Sequence, residues 1–180
     1  MVNLAELQPQ TISRDLESKY ILLAGQPKIG KTEFCSLVDG ALILAFEQGT
    51  HALTGVHVQP IDTWSTFKVV IRQLAREDIQ KKFKVICIDT VDIAYDLCEK
   101  YVCDANHVDS VSEIPYGGGY KLVGDEFKKA FRDITFMPYG IIFTSHLKEK
   151  TDTKTGEVIE RMPELGTRCG KIVNGMCDII

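Results

Sequence analysis

Residues 25–32 form the run Gly25-Gln26-Pro27-Lys28-Ile29-Gly30-Lys31-Thr32, which fits the pattern G-x-x-x-x-G-K-[ST] of a phosphate-binding loop. An apolar run, Tyr20–Ala24, precedes the loop as an expected buried strand, and the residues from Glu33 onward are expected to continue as a helix. Glycine at the first and sixth positions leaves room for successive backbone N–H groups to curl around a phosphate. The pattern therefore predicts an anion cradle between a strand and a helix.

The loop also supplies two side chains with expected roles. Lys31 should reach the β- and γ-phosphates of a nucleoside triphosphate, and Thr32 should offer a hydroxyl to Mg²⁺. The alternative is that Gly25 and Gly30 merely shape a turn. No guanine-reading motif N/T-K-x-D is evident, which favours ATP over GTP. The candidate nucleotide-binding residues are Gly25, Gln26, Pro27, Lys28, Ile29, Gly30, Lys31, Thr32 and Glu33.

Three further apolar runs lie at residues 41–46, 85–88 and 140–143. None of the four runs alternates apolar with polar residues, so each is predicted to be a strand buried on both faces of a parallel sheet. Apolar residues at helical spacing in 67–74, 94–101 and 123–134 predict helices between the strands. Alternating strands and helices predict an α/β fold of three layers.

An acid follows the third apolar run at Asp89, at the carboxyl edge of the predicted sheet, where open α/β folds bind ligands. Asp89 is therefore the expected second magnesium residue beside Thr32. The alternative is that Asp89 caps the helix that begins near Thr90, and the two roles are compatible.

The base for hydrolysis must come from another strand, because Thr90 stands where many ring ATPases carry a second acid. Glu47 ends the run at 41–46 and should reach the same edge, where a carboxylate could deprotonate a water in line with the γ-phosphate. Asp92 is a weaker rival, and an exposed loop acid is the alternative reading of Glu47. After the fourth strand, Ser145 or His146 could contact the γ-phosphate or the water.

Composition limits the other classes of function. The 180 residues are 44% hydrophobic and 26% charged, which is typical of one globular domain and excludes a disordered or fibrous chain. The net charge of −4 argues against a basic module that coats nucleic acid, but it is compatible with a local basic loop or a filament that presents one. Residues 1–6 lack the features of a signal peptide, and the apolar runs are far shorter than the roughly 20 residues of a membrane span. A cytoplasmic protein with reduced cysteines is expected.

The predicted features follow one another in the order found in RecA-like ATPases, which the chain resembles. More closely, the chain is similar to phage-encoded P-loop nucleotide-binding proteins of the AAA/RecA-like class, some of which act beside single-strand annealing proteins in phage recombination. The similarity extends over residues 16–180. Besides the motifs above, it includes Pro115-Tyr116-Gly117-Gly118-Gly119-Tyr120, Pro138-Tyr139-Gly140 and Cys177-Asp178.

This resemblance implies one RecA-like P-loop ATPase domain over residues 1–180. Its mostly parallel sheet should have the strand order 5-1-4-3-2, counted along the chain with the C-terminal segment as the fifth strand. The resemblance also implies ATP binding, Mg²⁺-dependent slow hydrolysis and a homo-oligomer with sites between subunits. Single-stranded DNA or a phage recombination protein is the implied partner. Because members of the class often continue past the equivalent of Ile180, a truncated C-terminus is a further expectation.

Two other functions remain as alternatives, a small-molecule kinase and a nucleotide-dependent binding module. A small-molecule kinase usually carries an arginine-rich lid, whereas the six arginines here are spread along the chain. A nucleotide-dependent binding module with negligible turnover would share the same loop. Two segments are candidates for binding a partner. Residues 116–120 form either a mobile loop that binds nucleic acid or a flexible lead into a helix. Residues 148–160 form a hairpin or a mobile loop.

Overall fold

The computed structural model of the chain describes residues 15–49, 53–152 and 155–180. A parallel sheet of five strands forms its centre, in the order β1-β5-β4-β2-β3. The strands are β1 (Tyr20–Ala24), β2 (Ala41–Ala45), β3 (His57–Pro60), β4 (Val85–Asp89) and β5 (Gly140–Ser145). Residues 1–6, on which the absence of a signal peptide was predicted, lie outside the described residues.

The α/β fold class predicted from the sequence is confirmed, and the four predicted strands lie in the predicted order 1-4-3-2. The place of the fifth predicted strand is taken by a short extended segment at the C-terminus, beside β1. There Ile179 bridges Ile21 in parallel, and the N–H of Leu22 donates to the carbonyl of Ile179 at 2.9 Å. The sequence did not predict β3, because this edge strand is mostly exposed and has no apolar run.

Helices connect most of the strands along the chain and pack on the faces of the sheet. They are α1 (Lys31–Ser36), α2 (Trp64–Leu74), α3 (Glu77–Lys82), α4 (Val91–Asn106), α5 (Gly118–Thr135) and α6 (Thr167–Asn174). The three helical patterns found in the sequence fall on α2, α4 and α5. In α2, for example, Phe67, Ile71 and Leu74 are buried at the predicted spacing.

Alternate residues of the central strands face two separate cores, which explains their unbroken apolar runs. Leu42 and Leu44 of β2 pack into the larger core, formed with α2, α4 and α5, whereas Ile43 and Ala45 pack into a smaller one beside Cys35 of α1. The sheet is therefore the middle layer of three, as predicted.

An aromatic cluster joins α2 and α5 within the larger core. Trp64 stacks on Phe127 with ring centroids 5.7 Å apart, and the centroids of Phe127 and Phe131 are 4.6 Å apart. The indole N–H of Trp64 donates to Glu126 at 3.0 Å, so the one polar atom of the ring is satisfied.

The structure describes residues 116–120 and most of residues 148–160, the two segments considered as partner loops. A short helical turn, Pro115–Gly117, leads directly into α5 and leaves the side chain of Tyr116 fully exposed. The polar segment is an antiparallel hairpin of β6 (Leu147–Thr151) and β7 (Val158–Pro163). Within this segment, Thr153 and Lys154 lie outside the described residues.

Two further expectations concern thiols and membranes. All six cysteines are free, five of them buried and Cys177 half-buried. Within the described part of the chain, no helix combines the length and the apolar character needed to cross a membrane.

The start of β5 makes a testable contact with the segment before β1. A Cβ atom on Gly140 would lie 1.8 Å from the carbonyl oxygen of Leu16, so Gly140→Ala must push the two backbones apart. We expect this change to lower the free energy of unfolding by about 2 kcal/mol or more. Gly124 of α5 is the matched control, since a Cβ there meets nothing within 4 Å. Gly124→Ala should raise the free energy of unfolding by up to about 1 kcal/mol. Urea titrations followed by circular dichroism measure both, and equal effects would contradict the contact.

Candidate functional site

The loop between β1 and α1 has the tight curvature that its glycines predict. Gly30 has a φ of 102°, and Lys28 also has a positive φ of 65°. A Cβ on Gly25 would lie 2.7 Å from a methyl carbon of Ile29, so the loop closes on itself at this point. The N–H of Gly25 donates to the carbonyl of Ser145 at 3.1 Å, which ties the loop to β5.

Backbone N–H groups at the end of this loop are available to a ligand. The first helical bond of α1 runs from the N–H of Phe34 to the carbonyl of Gly30 at 2.8 Å. In residues 15–49, 53–152 and 155–180, no acceptor contacts the N–H groups of Gly30, Lys31 or Thr32. Together with the start of the helix they can hold an anion.

Lys31 points its ammonium group back into the loop. The side chain is buried, and Nζ donates to the carbonyls of Gly25 at 2.9 Å and Gln26 at 3.1 Å. The loop carbonyls thus compensate the cost of burying the charge. The cation is therefore held against the backbone of the loop.

Thr32 and Asp89, the two predicted metal residues, are in direct contact. The hydroxyl of Thr32 donates to one carboxylate oxygen of Asp89 at 2.7 Å, and the hydroxyl of Thr144 on β5 donates to the other. Asp89 is only 5% exposed. Thr90, not Asp89, is the N-cap residue of α4, so the alternative role of Asp89 as a helix cap finds no contact in its favour.

The Thr32 and Asp89 pair suits a magnesium ion by its chemistry. A hydroxyl and a carboxylate are hard oxygen donors, which Mg²⁺ binds together with phosphate oxygens and water. No cluster of three or more His, Cys, Asp or Glu side chains in the described ranges could hold a metal. Most ligands of an ion at this pair would therefore come from a bound phosphate and solvent.

Glu47 and His146 meet at the same edge of the sheet. The N–H groups of Phe46 and Glu47 donate to the carbonyl of Asp89 at 2.7 and 3.3 Å, which fixes the backbone of Glu47 beside β4. A carboxylate oxygen of Glu47 lies 3.7 Å from Nε2 of His146, a distance too long for a direct hydrogen bond. The imidazole of His146 and the carboxylate of Glu47, the predicted base, are therefore close but not hydrogen-bonded.

The other ring nitrogen of His146 contacts Asp92, the weaker candidate base. Nδ1 lies 3.1 Å from a carboxylate oxygen of Asp92 on the first turn of α4. Because an ionised carboxylate only accepts, Nδ1 donates and the ring orientation is fixed. Beyond Asp92, burial and this neighbouring charge raise the pKa of Asp96. Burial, with both carboxylates, raises the pKa of the Cys169 thiol to about 12.

Ser145 does not share this position. Its side chain is fully buried at the end of β5, and the hydroxyl donates to the carbonyl of His146 at 3.0 Å. The contacts of Ser145 are thus with the backbone around it. Of the two candidates that the sequence left open, His146 is the one at the cavity.

One cavity of about 540 Å³ collects most of the predicted residues. Thr90, which lines the cavity, and Thr144, which contacts Asp89, were not predicted as site residues. Their positions in the sequence, next to Asp89 and at the end of an adjacent parallel strand, were the available signal. Gly25, Gln26, Ile29 and Ser145 support the loop without lining the cavity. The lining residues are Pro27, Lys28, Gly30, Lys31, Thr32, Glu33, Glu47, Gln48, Gly49, Leu53, Asp89, Thr90 and His146.

Comparisons with known proteins agree with this geometry. A family model described as AAA domain matches residues 17–180. The chain is also 29% identical over 145 residues to the SPbeta prophage-derived uncharacterized protein YorG of Bacillus subtilis (strain 168). That alignment covers 79% of this chain and 45% of the relative, so the chain spans less than half of the relative's length.

Proposed function

The chain belongs to a family of AAA domains, and from this premise we propose that it is an ATPase that binds ATP with Mg²⁺ and hydrolyses it. The observation that carries the proposal is the contact between Thr32 and Asp89 at 2.7 Å, beside the buried ammonium of Lys31. A phosphate-binding loop, a cation and a pair of hard oxygen donors then face one cavity.

ATP binding uses the loop as an anion cradle. The N–H groups of Gly30, Lys31 and Thr32 bind phosphate oxygens at the start of α1. Lys31 exchanges the carbonyls of Gly25 and Gln26 for the β- and γ-phosphates. Thr32 and Asp89 would hold Mg²⁺, which when bound neutralises charge on the phosphate oxygens.

Hydrolysis needs a base and a positioned water. The water oxygen attacks the γ-phosphorus, the bond from that phosphorus to the bridging oxygen of ADP breaks, and the proton of the water passes to Glu47. Glu47 is 45% exposed at the rim of the cavity, so a water molecule can reach it. His146, oriented by Asp92, adjoins Glu47 and limits the positions of its carboxylate.

The proposal also includes the biological setting in which the ATPase acts. We infer a phage ATPase that works in the cytoplasm of a bacterial host as a homo-oligomer and assists DNA recombination or single-strand annealing. The prophage origin of the similar Bacillus protein supports a phage setting. Hydrolysis measured with and without single-stranded DNA, alongside the mass of the assembly in solution, tests this part. A monomer whose hydrolysis rate does not change when single-stranded DNA is added would contradict this part of the proposal.

Lys31→Ala should weaken ATP binding by about 100-fold, because two charge-assisted hydrogen bonds to phosphate are lost. Isothermal titration calorimetry with a non-hydrolysable ATP analogue measures the dissociation constant. Lys81→Ala is the control for loss of one positive charge, since Lys81 is 80% exposed on α3. If both variants bind the analogue like the wild type, Lys31 has no role in the site.

Glu47→Gln should keep ATP affinity and lower kcat by about 100-fold or more, because the amide cannot accept the proton. Phosphate release at saturating ATP measures kcat. Asp92→Asn is the comparison: a larger loss of kcat in Asp92→Asn than in Glu47→Gln would move the base to Asp92.

His146→Ala and Ser145→Ala separate the two residues that follow Thr144. We expect His146→Ala to lower kcat by about tenfold, since Glu47 loses the neighbour that restricts it. Ser145→Ala should leave kcat unchanged and lower the free energy of unfolding by about 1 kcal/mol, through the lost bond to the carbonyl of His146. The reverse pattern would assign the role to Ser145.

A further inference from the structure

Two threonines contact Asp89, a third directly follows it in the chain, and the hydroxyl of this third residue differs from the other two. The hydroxyls of Thr32 and Thr144 both donate to the carboxylate of Asp89. The hydroxyl oxygen of Thr90 is buried and has no hydrogen-bond partner anywhere in the described ranges. Thr90 as a whole is only 1% exposed, yet it lines the 540 Å³ cavity together with Lys31 and Glu47.

The hydroxyl of Thr90 makes no hydrogen bond with the described residues that would stabilise the fold. Thr90 is the N-cap residue of α4, a position where a threonine side chain commonly accepts from the helix backbone, but no such bond forms here. Its carbonyl does serve the helix by accepting from the N–H of Ala94 at 3.1 Å. Burying a hydroxyl without a partner costs free energy that valine, with the same shape, would avoid. A ligand that binds in the cavity can supply the partner that the described residues do not.

The position of Thr90 indicates which ligand group could be the partner of its hydroxyl. Thr90 directly follows Asp89, whose carbonyl accepts from the N–H groups of Phe46 and Glu47 at 2.7 and 3.3 Å. Thr90 thus adjoins the backbone that carries the proposed base. A hydroxyl can accept and donate at once, whereas the carboxylate of Glu47 only accepts.

We propose that Thr90 is a catalytic residue that holds the attacking water of ATP hydrolysis, an inference that rests on the proposed function. One hydrogen of the water bonds to Glu47, which takes the proton, and the other bonds to Oγ of Thr90. The hydroxyl of Thr90 donates to an oxygen of the γ-phosphate. The lone pair of the water then faces phosphorus, and Thr90 itself neither gains nor loses a proton.

Thr90→Val, Thr90→Ser and Thr144→Val form the test. We expect Thr90→Val to lower kcat by about 10- to 100-fold, whereas the dissociation constant of a non-hydrolysable ATP analogue, which loses one hydrogen bond, should rise by less than about tenfold. Thr90→Ser keeps the hydroxyl and should retain most of kcat. The urea midpoint of Thr90→Val should equal or exceed that of the wild type, because no protein hydrogen bond is lost. Thr144→Val should lower the midpoint, since the fully buried Thr144 loses its bond to Asp89.

Wild-type kcat in Thr90→Val would overturn the inference. A loss of stability in Thr90→Val like that in Thr144→Val would also overturn it, because the hydroxyl would then serve the fold. A loss of analogue binding as large as that in Lys31→Ala would overturn it as well, because the main role of the hydroxyl would then be to hold the nucleotide. None of these results contradicts the proposed ATPase activity as long as Lys31→Ala weakens ATP binding as expected and the wild type releases phosphate. A wild type that hydrolyses no ATP, with or without single-stranded DNA, would overturn both proposals.

Discussion

The hydrogen bond from Thr32 to Asp89 ties three strands together at one edge of the sheet. Thr32 follows β1 through the phosphate-binding loop, Asp89 ends β4, and β5 lies between these two strands. Thr144 of β5 completes the contact from the middle. Because all five strands are parallel, their carboxyl ends share this edge, and the loop and the acid meet there with β5 between their strands.

Charge around the cavity is unevenly distributed. The carboxylates of Glu33, Glu47 and Asp89 face two lysines, Lys28 and Lys31, and Asp92 stands behind His146. A triphosphate adds several negative charges to a site that already has an excess of them. Affinity for ATP should therefore depend on the loop N–H groups and on a divalent cation more than on the side chains alone. Such a site would retain nucleotide poorly when the cation is removed.

The sequence predicted the sheet because its central strands are buried on both faces and therefore read as unbroken apolar runs. It failed at β3, where exposure removes that signal. The loop, Asp89 and Glu47 were found because each directly follows a predicted strand or fits a motif. The contacts of His146 with Asp92 and Glu47, and the hydroxyl of Ser145 turned to the backbone, depend on side-chain orientation. No periodicity or spacing contains that information.

The chain has a single tryptophan, Trp64, and its place in the aromatic cluster makes it an intrinsic optical probe of folding. An indole that is 1% exposed and stacked on Phe127 should fluoresce at short wavelength, and its emission should move to the red when α2 and α5 separate. Trp64 does not line the 540 Å³ cavity. Its spectrum should therefore follow the melting of the larger core without a direct signal from bound nucleotide, and no reporter dye would have to be attached.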